Sequence, residues 1–267
     1  MAFAFHTRST LLDDLGSLGV RRGDGLFVHA SMKAIGYVVG GPRTILEALL
    51  EAVGDTGLIG MPGFSTDAYF PSEIDRSDLS PGQIAEIEDA VPGFDVLTSP
   101  TSDIGILPET FRTWPGTERS DHPVVSICLN GLQAREFVGE HSLAWATGLQ
   151  SPLGKLRDRQ SMKILLIGVG WDRCTALHTS ETLADHRRTK TRRLKVGAVD
   201  GTWVESPDVA DDVGRLFPTV GDAFEKTGSV SIGSFGEAHS RICDYRQLVD
   251  FGSELINEMN KESGDLA

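Results

Sequence analysis

Apolar positions along the chain follow two rhythms. Continuous aliphatic runs mark strands covered on both faces, and a spacing of three to four residues marks helices with one buried stripe. Leu11, Leu12, Leu15 and Leu18 form the first stripe, with Ser9 or Thr10 as its cap and Gly19 as its stop. A turn over 21–25 leads to a strand, Leu26-Phe27-Val28, that delivers His29, Ala30 and Ser31 at its carboxyl end. After a loop with Gly36, Gly40 and Gly41, a helix is predicted over 43–53, with Pro42 in its first turn and Gly54 past its end, and then a strand near 57–61. Leu107, Phe111 and Trp114 mark another helix, residues 124–129 a strand, and residues 148–154 a turn opening a short helix. The clearest strand is 163–170. It passes through a turn at 171–174 into a helix capped by Thr175 or Asp172. Residues 209–217 and 220–226 read as helices broken at Pro218, 229–232 as a strand and 245–259 as an amphipathic helix. With no internal repeat, one α/β domain over 1–267 is expected.

Charge changes this picture in two places. The 267 residues are 40% hydrophobic, enough for a sizeable core, and carry a formal net charge of -13. That balance argues against a nucleic-acid partner; it suits a cationic small molecule, or solubility alone. Residues 65–95 hold Asp67, Glu73, Asp75, Asp78, Glu86, Glu88, Asp89 and Asp95 against the single Arg76. This segment is a solvated loop with one helix, or a flap offering carboxylates to a polycation. Residues 186–195 are basic, which fits a charged strand edge or a phosphate contact. Cys128, Cys174 and Cys243 are odd in number and far apart, so no metal site and a reducing compartment are expected. The N-terminus has no signal-peptide core and no run is long enough to span a membrane, which points to the cytoplasm.

His178 and Glu181 are the candidate catalytic pair. Three residues apart, they share one face of the helix that follows the 163–170 strand. An imidazole in the first turn feels the positive helix end, which disfavours its charged form, while a carboxylate on one ring nitrogen raises its basicity and fixes its tautomer. The same spacing also arises by chance in ordinary helices. The glycines before the 43–53 helix let backbone N–H groups approach an anion, although they match neither the dinucleotide fingerprint nor the phosphate-loop motif, and a plain strand-to-helix connection is the alternative. His122, extended before Pro123, is a structural histidine or a pocket residue.

Taken together, four blocks resemble the aminoglycoside 3-N-acetyltransferase family, antibiotic acetyltransferases unrelated in fold to the GCN5 type. They are Val28-His29-Ala30-Ser31 through Gly36, Gly40 and Gly41; Phe94-Asp95, Thr98-Ser99-Pro100 and Gly105-Ile106-Leu107-Pro108-Glu109; Arg119-Ser120-Asp121-His122-Pro123 with Ser126; and 148–154 followed by Thr175-Ala176-Leu177-His178-Thr179-Ser180-Glu181. Gly236-Glu237-Ala238 and residues 245–250 extend the match, which spans about residues 10 to 252.

The resemblance implies a single-domain α/β/α sandwich that moves the acetyl group of acetyl-CoA, without a metal, to the 3-amino group of a 2-deoxystreptamine ring. By carry-over, His178 is the base and Glu181 its partner. His29, Ala30, Ser31, Gly36, Val38, Gly40, Gly41, Thr44, Ser99 and Thr101 become candidates for holding coenzyme A. Asp67, His122 and Asp172 become candidates for the cationic aminoglycoside. Residues 65–95 match the family least, so another amine or amino sugar remains an alternative acceptor. A serine hydrolase and a ligand-sequestering protein are the competing classes; the sequence lacks a G-x-S-x-G elbow. A homodimer is compatible with this size.

Overall fold

Leu26-Phe27-Val28 and Ile164-Leu165-Leu166-Ile167 have no polar face to give to water, so both strands must lie inside a sheet covered on two sides. The computed structural model describes residues 3–198, 200–210 and 214–263. Its first half runs through α1 (Arg8–Leu18), β1 (Gly25–Ala30), a short α2 (Met32–Ile35), α3 (Pro42–Val53) and β2 (Leu58–Pro62). Then come α4 (Pro81–Ala90), α5 (Ile106–Arg112), β3 (Glu118–Arg119), β4 (Ile127–Gly131), α6 (Ala134–Val138) and α7 (Pro152–Arg157). The second half holds β5 (Met162–Ile167), α8 (Ala176–Leu183), a hairpin of β6 (Thr189–Val196) and β7 (Thr202–Val209), and α9 (Phe217–Glu225). A further hairpin of β8 (Val230–Phe235) and β9 (Ala238–Asp244) precedes α10 (Tyr245–Ser263).

The main sheet has the order β3-β4-β2-β1-β5-β9-β8. β1 pairs in parallel with β2 and with β5, and the outer pairs are antiparallel. Strand alternation sorts its side chains into two cores. Phe27, Ile164 and Leu166 face Leu177, Phe217, Tyr245 and Leu248 from α8, α9 and α10. Leu26, Val28, Leu165 and Ile167 face Leu11, Leu15, Ile45, Leu49 and Phe111 from α1, α3 and α5. The result is the expected α/β/α sandwich. Gly60, opposite Phe27 in the register, leaves room for that ring; a Cβ there would stand 2.8 Å from both Phe27 and Leu129. Truncating the fully buried Phe27 to alanine is expected to cost about 3–5 kcal/mol.

Some expected boundaries move. Thr7, rather than Ser9 or Thr10, caps α1: its hydroxyl accepts the Thr10 N–H, and Thr10 returns the bond to the Thr7 backbone. Thr175 holds the N-cap position of α8 without a side-chain cap bond, and Asp172 pairs with Arg173 instead. No helix begins at Val209, which ends β7; residues 211–213 of the expected 209–217 helix lie outside the described residues. Pro218 does not break a helix. It sits in the first turn of α9, where a missing N–H costs nothing.

Candidate active site

All three parallel strands point their carboxyl ends at the same place. From β1 the chain leaves through α3 to β2 on one side, while β5 flanks β1 on the other, and open α/β sheets bind ligands in the crevice at such a divergence. A cleft of about 1310 Å³ opens there. His29, Ala30, Ser31 and Met32 reach it from β1, Phe64 and Ser65 from beyond β2, and Val169 from beyond β5. Its other walls are residues 102–108, Asp172, Thr175 and His178, the 190–193 stretch of β6, and Phe217. Single small ligands usually occupy roughly 300–1,000 Å³, so this volume leaves room for two bound partners.

His178 is the third residue of α8, in the first turn as its sequence position requires. Its Nδ1 lies 2.7 Å from Oε2 of Glu181, a carboxylate whose side chain is 7% exposed. An ionised carboxylate only accepts, so Nδ1 carries a proton, and in the neutral ring the lone pair is left on Nε2. The Phe217 ring packs edge-on at 4.7 Å between centroids and limits rotation of the imidazole. No other side chain among the described residues hydrogen-bonds the His178 ring, and no serine hydroxyl meets it. Thr147 donates to the His178 carbonyl, which ties the helix to the 141–151 loop. His29 lies in the same cleft; burial, and next the nearby His178, push its pKa down to about 3.

The remaining candidates divide by location. Ser31 lines the cleft, and its hydroxyl accepts the Ala34 N–H at the start of α2. Gly36, Val38, Gly40, Gly41 and Thr44 lie outside the lining. Val38 bridges to His6, and the Thr44 hydroxyl donates to the Val39 carbonyl at 2.6 Å, closing the turn at the start of α3. Ser99 and Thr101 lie behind the wall. The Ser99 carbonyl accepts from Arg119, which also binds the Gly63 carbonyl, and the Thr101 N–H donates to Glu109. The Arg112 guanidinium beside Glu109 holds that carboxyl down at about 2.

Asp172 lines the cleft, paired with Arg173 at 3.1 Å. Asp67 and His122 do not line it. His122 is fully buried and its Nδ1 accepts the N–H groups of Val124 and Val125, two residues that do line the cleft. Burial pushes its pKa to about 4.

The two charged stretches are tied to each other. Residues 65–95 contribute Ser65, Thr66, Tyr69 and Ser72 to the lining, while the carboxylates of Asp75 and Asp95 hold their own turns and that of Glu88 pairs with Arg76 and Arg193. Lys195 reaches back to the carbonyls of Glu88, Asp89 and Val91 at the end of α4. The basic run is thus a strand and a cleft wall at once. Arg192 is fixed there by Asp208 at 2.6 Å and by the Tyr69 hydroxyl. Sequence reasoning did not single out Asp103 or Asp208. Asp103 is an exposed cleft carboxylate held at φ 59°, and only the folding of 102–108 across the strand ends brings it there.

Sequence and fold are both similar to those of known proteins. The family model for aminoglycoside 3-N-acetyltransferase matches residues 27–257. The SPbeta prophage-derived aminoglycoside N(3')-acetyltransferase-like protein YokD of Bacillus subtilis (strain 168) is 31% identical over 96% of this chain and 94% of its own. The solved structure of AAC-IIIb binary with CoASH superposes with a TM-score of 0.85 at 31% identity, over 96% of this chain and 98% of that one. That of AAC-VIa bound to sisomicin gives 0.83 at 32% identity, over 95% and 98%. The cleft at the ends of β1, β2 and β5, with an imidazole and its buried carboxylate on one wall, therefore belongs to a chain that is a member of the aminoglycoside 3-N-acetyltransferase family.

Proposed function

We propose that the protein transfers the acetyl group of acetyl-CoA to the 3-amino group of a 2-deoxystreptamine aminoglycoside, directly, with both substrates in the cleft. The observation that carries this reading is the His178–Glu181 pair: a buried carboxylate holds the proton on Nδ1 and leaves Nε2 as the base facing the space for substrates. Acetyl-CoA brings the acetyl group as an activated thioester. The cleft volume accommodates a thioester arm together with an amine, and Val28, Met32, Val169 and Phe217 offer an apolar lining for that arm. His29, Ala30 and Ser31 at the end of β1 are assigned to this cosubstrate, with the turn at Gly40, Gly41 and Thr44 as the continuation of its site toward the phosphates.

As the amine nitrogen attacks the carbonyl carbon, Nε2 of His178 takes its proton, and the imidazolium formed is stabilised by Glu181. Collapse of the tetrahedral intermediate breaks the C–S bond, and the thiolate recovers that proton from His178. Asp172 and Asp103 are assigned to ammonium groups of the acceptor. A serine nucleophile would need a hydroxyl on the imidazole, and Glu181 takes the Nδ1 side with no serine among the described residues on the other. We place the reaction in the cytoplasm, where acetyl-CoA is available and where the buried free Cys128, Cys174 and Cys243 stay reduced; aminoglycoside resistance is the expected consequence for the cell. Thiol release from acetyl-CoA tests this assignment. Release that requires an aminoglycoside supports it, release without amine indicates a hydrolase, and binding without release a sequestering protein.

A further inference from the structure

Acyl transfer needs more than a base. A donor must meet the carbonyl oxygen as it gains charge, and His29 is built for that place. It stands near the end of β1, lines the cleft with Thr175 and His178, and is 8% exposed. Its Nε2 lies 3.3 Å from the backbone nitrogen of Thr175, immediately before α8. A backbone N–H can only donate, so Nε2 carries a lone pair and the neutral ring must keep its proton on Nδ1. That Nδ1 has no hydrogen-bond partner among the described residues and is not fully sealed. It therefore retains access to the cleft that the ring lines. Burial, followed by the nearby His178, brings the ring's pKa to about 3, so it is neutral around neutral pH.

We infer that His29 is the oxyanion donor of the acetyl transfer, its Nδ1–H bonding the thioester carbonyl oxygen while its Nε2 anchors the start of the helix that carries His178. This assignment rests on the acetyl-transfer reading above. In the addition step the amine lone pair forms the C–N bond, the carbonyl π pair moves onto the oxygen bonded by His29, and His178 takes the amine proton. In the collapse step the C=O bond re-forms, the C–S electrons leave with sulfur, and His178 returns the proton to the thiolate. His29 neither gains nor loses a proton. One ring thus sets both the donor and, through Thr175, the turn that presents the base.

Two substitutions separate these roles. His29→Gln can place an oxygen near the Nε2 position and keep the anchor without the donor; His29→Asn can place an N–H near Nδ1 and keep the donor without the anchor. The infrared stretch of acetyl-CoA labelled with ¹³C at the acetyl carbonyl reads the bond directly. We expect a lower frequency bound to the wild type than free, a shift lost in His29→Gln and retained in His29→Asn. We also expect kcat to fall by about 100-fold in His29→Gln, with the KM for acetyl-CoA and the melting temperature near wild type. An unshifted carbonyl in the bound wild type, a shift retained in His29→Gln, or full kcat in that variant would overturn the assignment. If acetyl-CoA did not bind the wild type at all, the acetyl-transfer reading itself would fall. The ¹⁵N shifts of the His29 ring stand apart from turnover: a proton on Nδ1 supports the assignment and one on Nε2 overturns it.

Discussion

Replacing Glu181 with glutamine keeps the length of the side chain and removes its charge. In the wild type the carboxylate accepts from Nδ1 of His178 at 2.7 Å from a nearly sealed position. A hydrogen bond to a charged group in such a site contributes about 1.5–3 kcal/mol, and at about 1.4 kcal/mol per tenfold this corresponds to a roughly 10- to 150-fold loss in kcat. Two effects act in the same direction. Glutamine offers an N–H to Nδ1, which favours the tautomer protonated on Nε2, where no lone pair is left for the amine. It also leaves the imidazolium formed during attack without its counter-charge. Steady-state thiol release, with acetyl-CoA and an aminoglycoside varied in turn, measures the loss. It should fall on kcat, with the KM for acetyl-CoA within about twofold, because Glu181 is placed against the base and touches no substrate. A thermal melt checks that Glu181→Gln is folded. A folded variant with full kcat, or one whose defect lies wholly in KM, would refute the role assigned to this carboxylate.

Three further outcomes test other parts of the structure. His29, His122 and His141 are pushed by burial to pKa values of about 3, 4 and 3, below their unfolded value, so the unfolded chain takes up protons first; their contribution is complete above about pH 6.5 and is lost as pH falls below it, by up to about 1.4 kcal/mol per unit for each. Denaturant midpoints that do not fall between about pH 7.5 and about pH 5 would contradict this. Asp208→Asn leaves Arg192 facing a neutral group across a contact in which the wild-type carboxylate is 2% exposed, with an expected cost of about 3 kcal/mol and a melting temperature lower by roughly 6–12 °C; an unchanged melt would count against that pair as a support of the cleft wall. Gly221→Ala drives a methyl into the Trp171 indole, which is held by Glu225 at 2.8 Å and cannot withdraw; a loss of about 1–3 kcal/mol is expected by chemical denaturation, and an undisturbed protein would contradict the packing of α9 on the 171–173 turn.

The sequence is most legible where local pattern and burial agree. β1, β2 and β5 are aliphatic runs bounded by glycine or turn residues, and α3 carries proline at its start and glycine at its end, so each could be read without knowing its neighbours. β7 and β9 are different. Their strand character comes from pairing with β6 and β8, and residues such as Ser206, Asp208, Ser240 and Arg241 give little intrinsic sign of it. The site divides the same way. His178 and Glu181 are linked by helical spacing, which sequence displays. The contact of His29 with Thr175 joins residues 146 positions apart, and that of Arg192 with Tyr69 joins residues 123 apart, so only the tertiary fold brings them together. The acidic stretch was readable as charge but not as geometry, because Arg76, Arg193 and Lys195 and the local turns decide where its groups point.

Amine-dependent thiol release from acetyl-CoA, measured with a panel of aminoglycosides on the wild type and on His178→Ala, tests the central assignment most directly. Release that requires an aminoglycoside and falls by about 100-fold or more in the variant is expected, from what a positioned general base usually contributes. Full activity in His178→Ala would contradict the mechanism, and release that no aminoglycoside stimulates would contradict the acceptor.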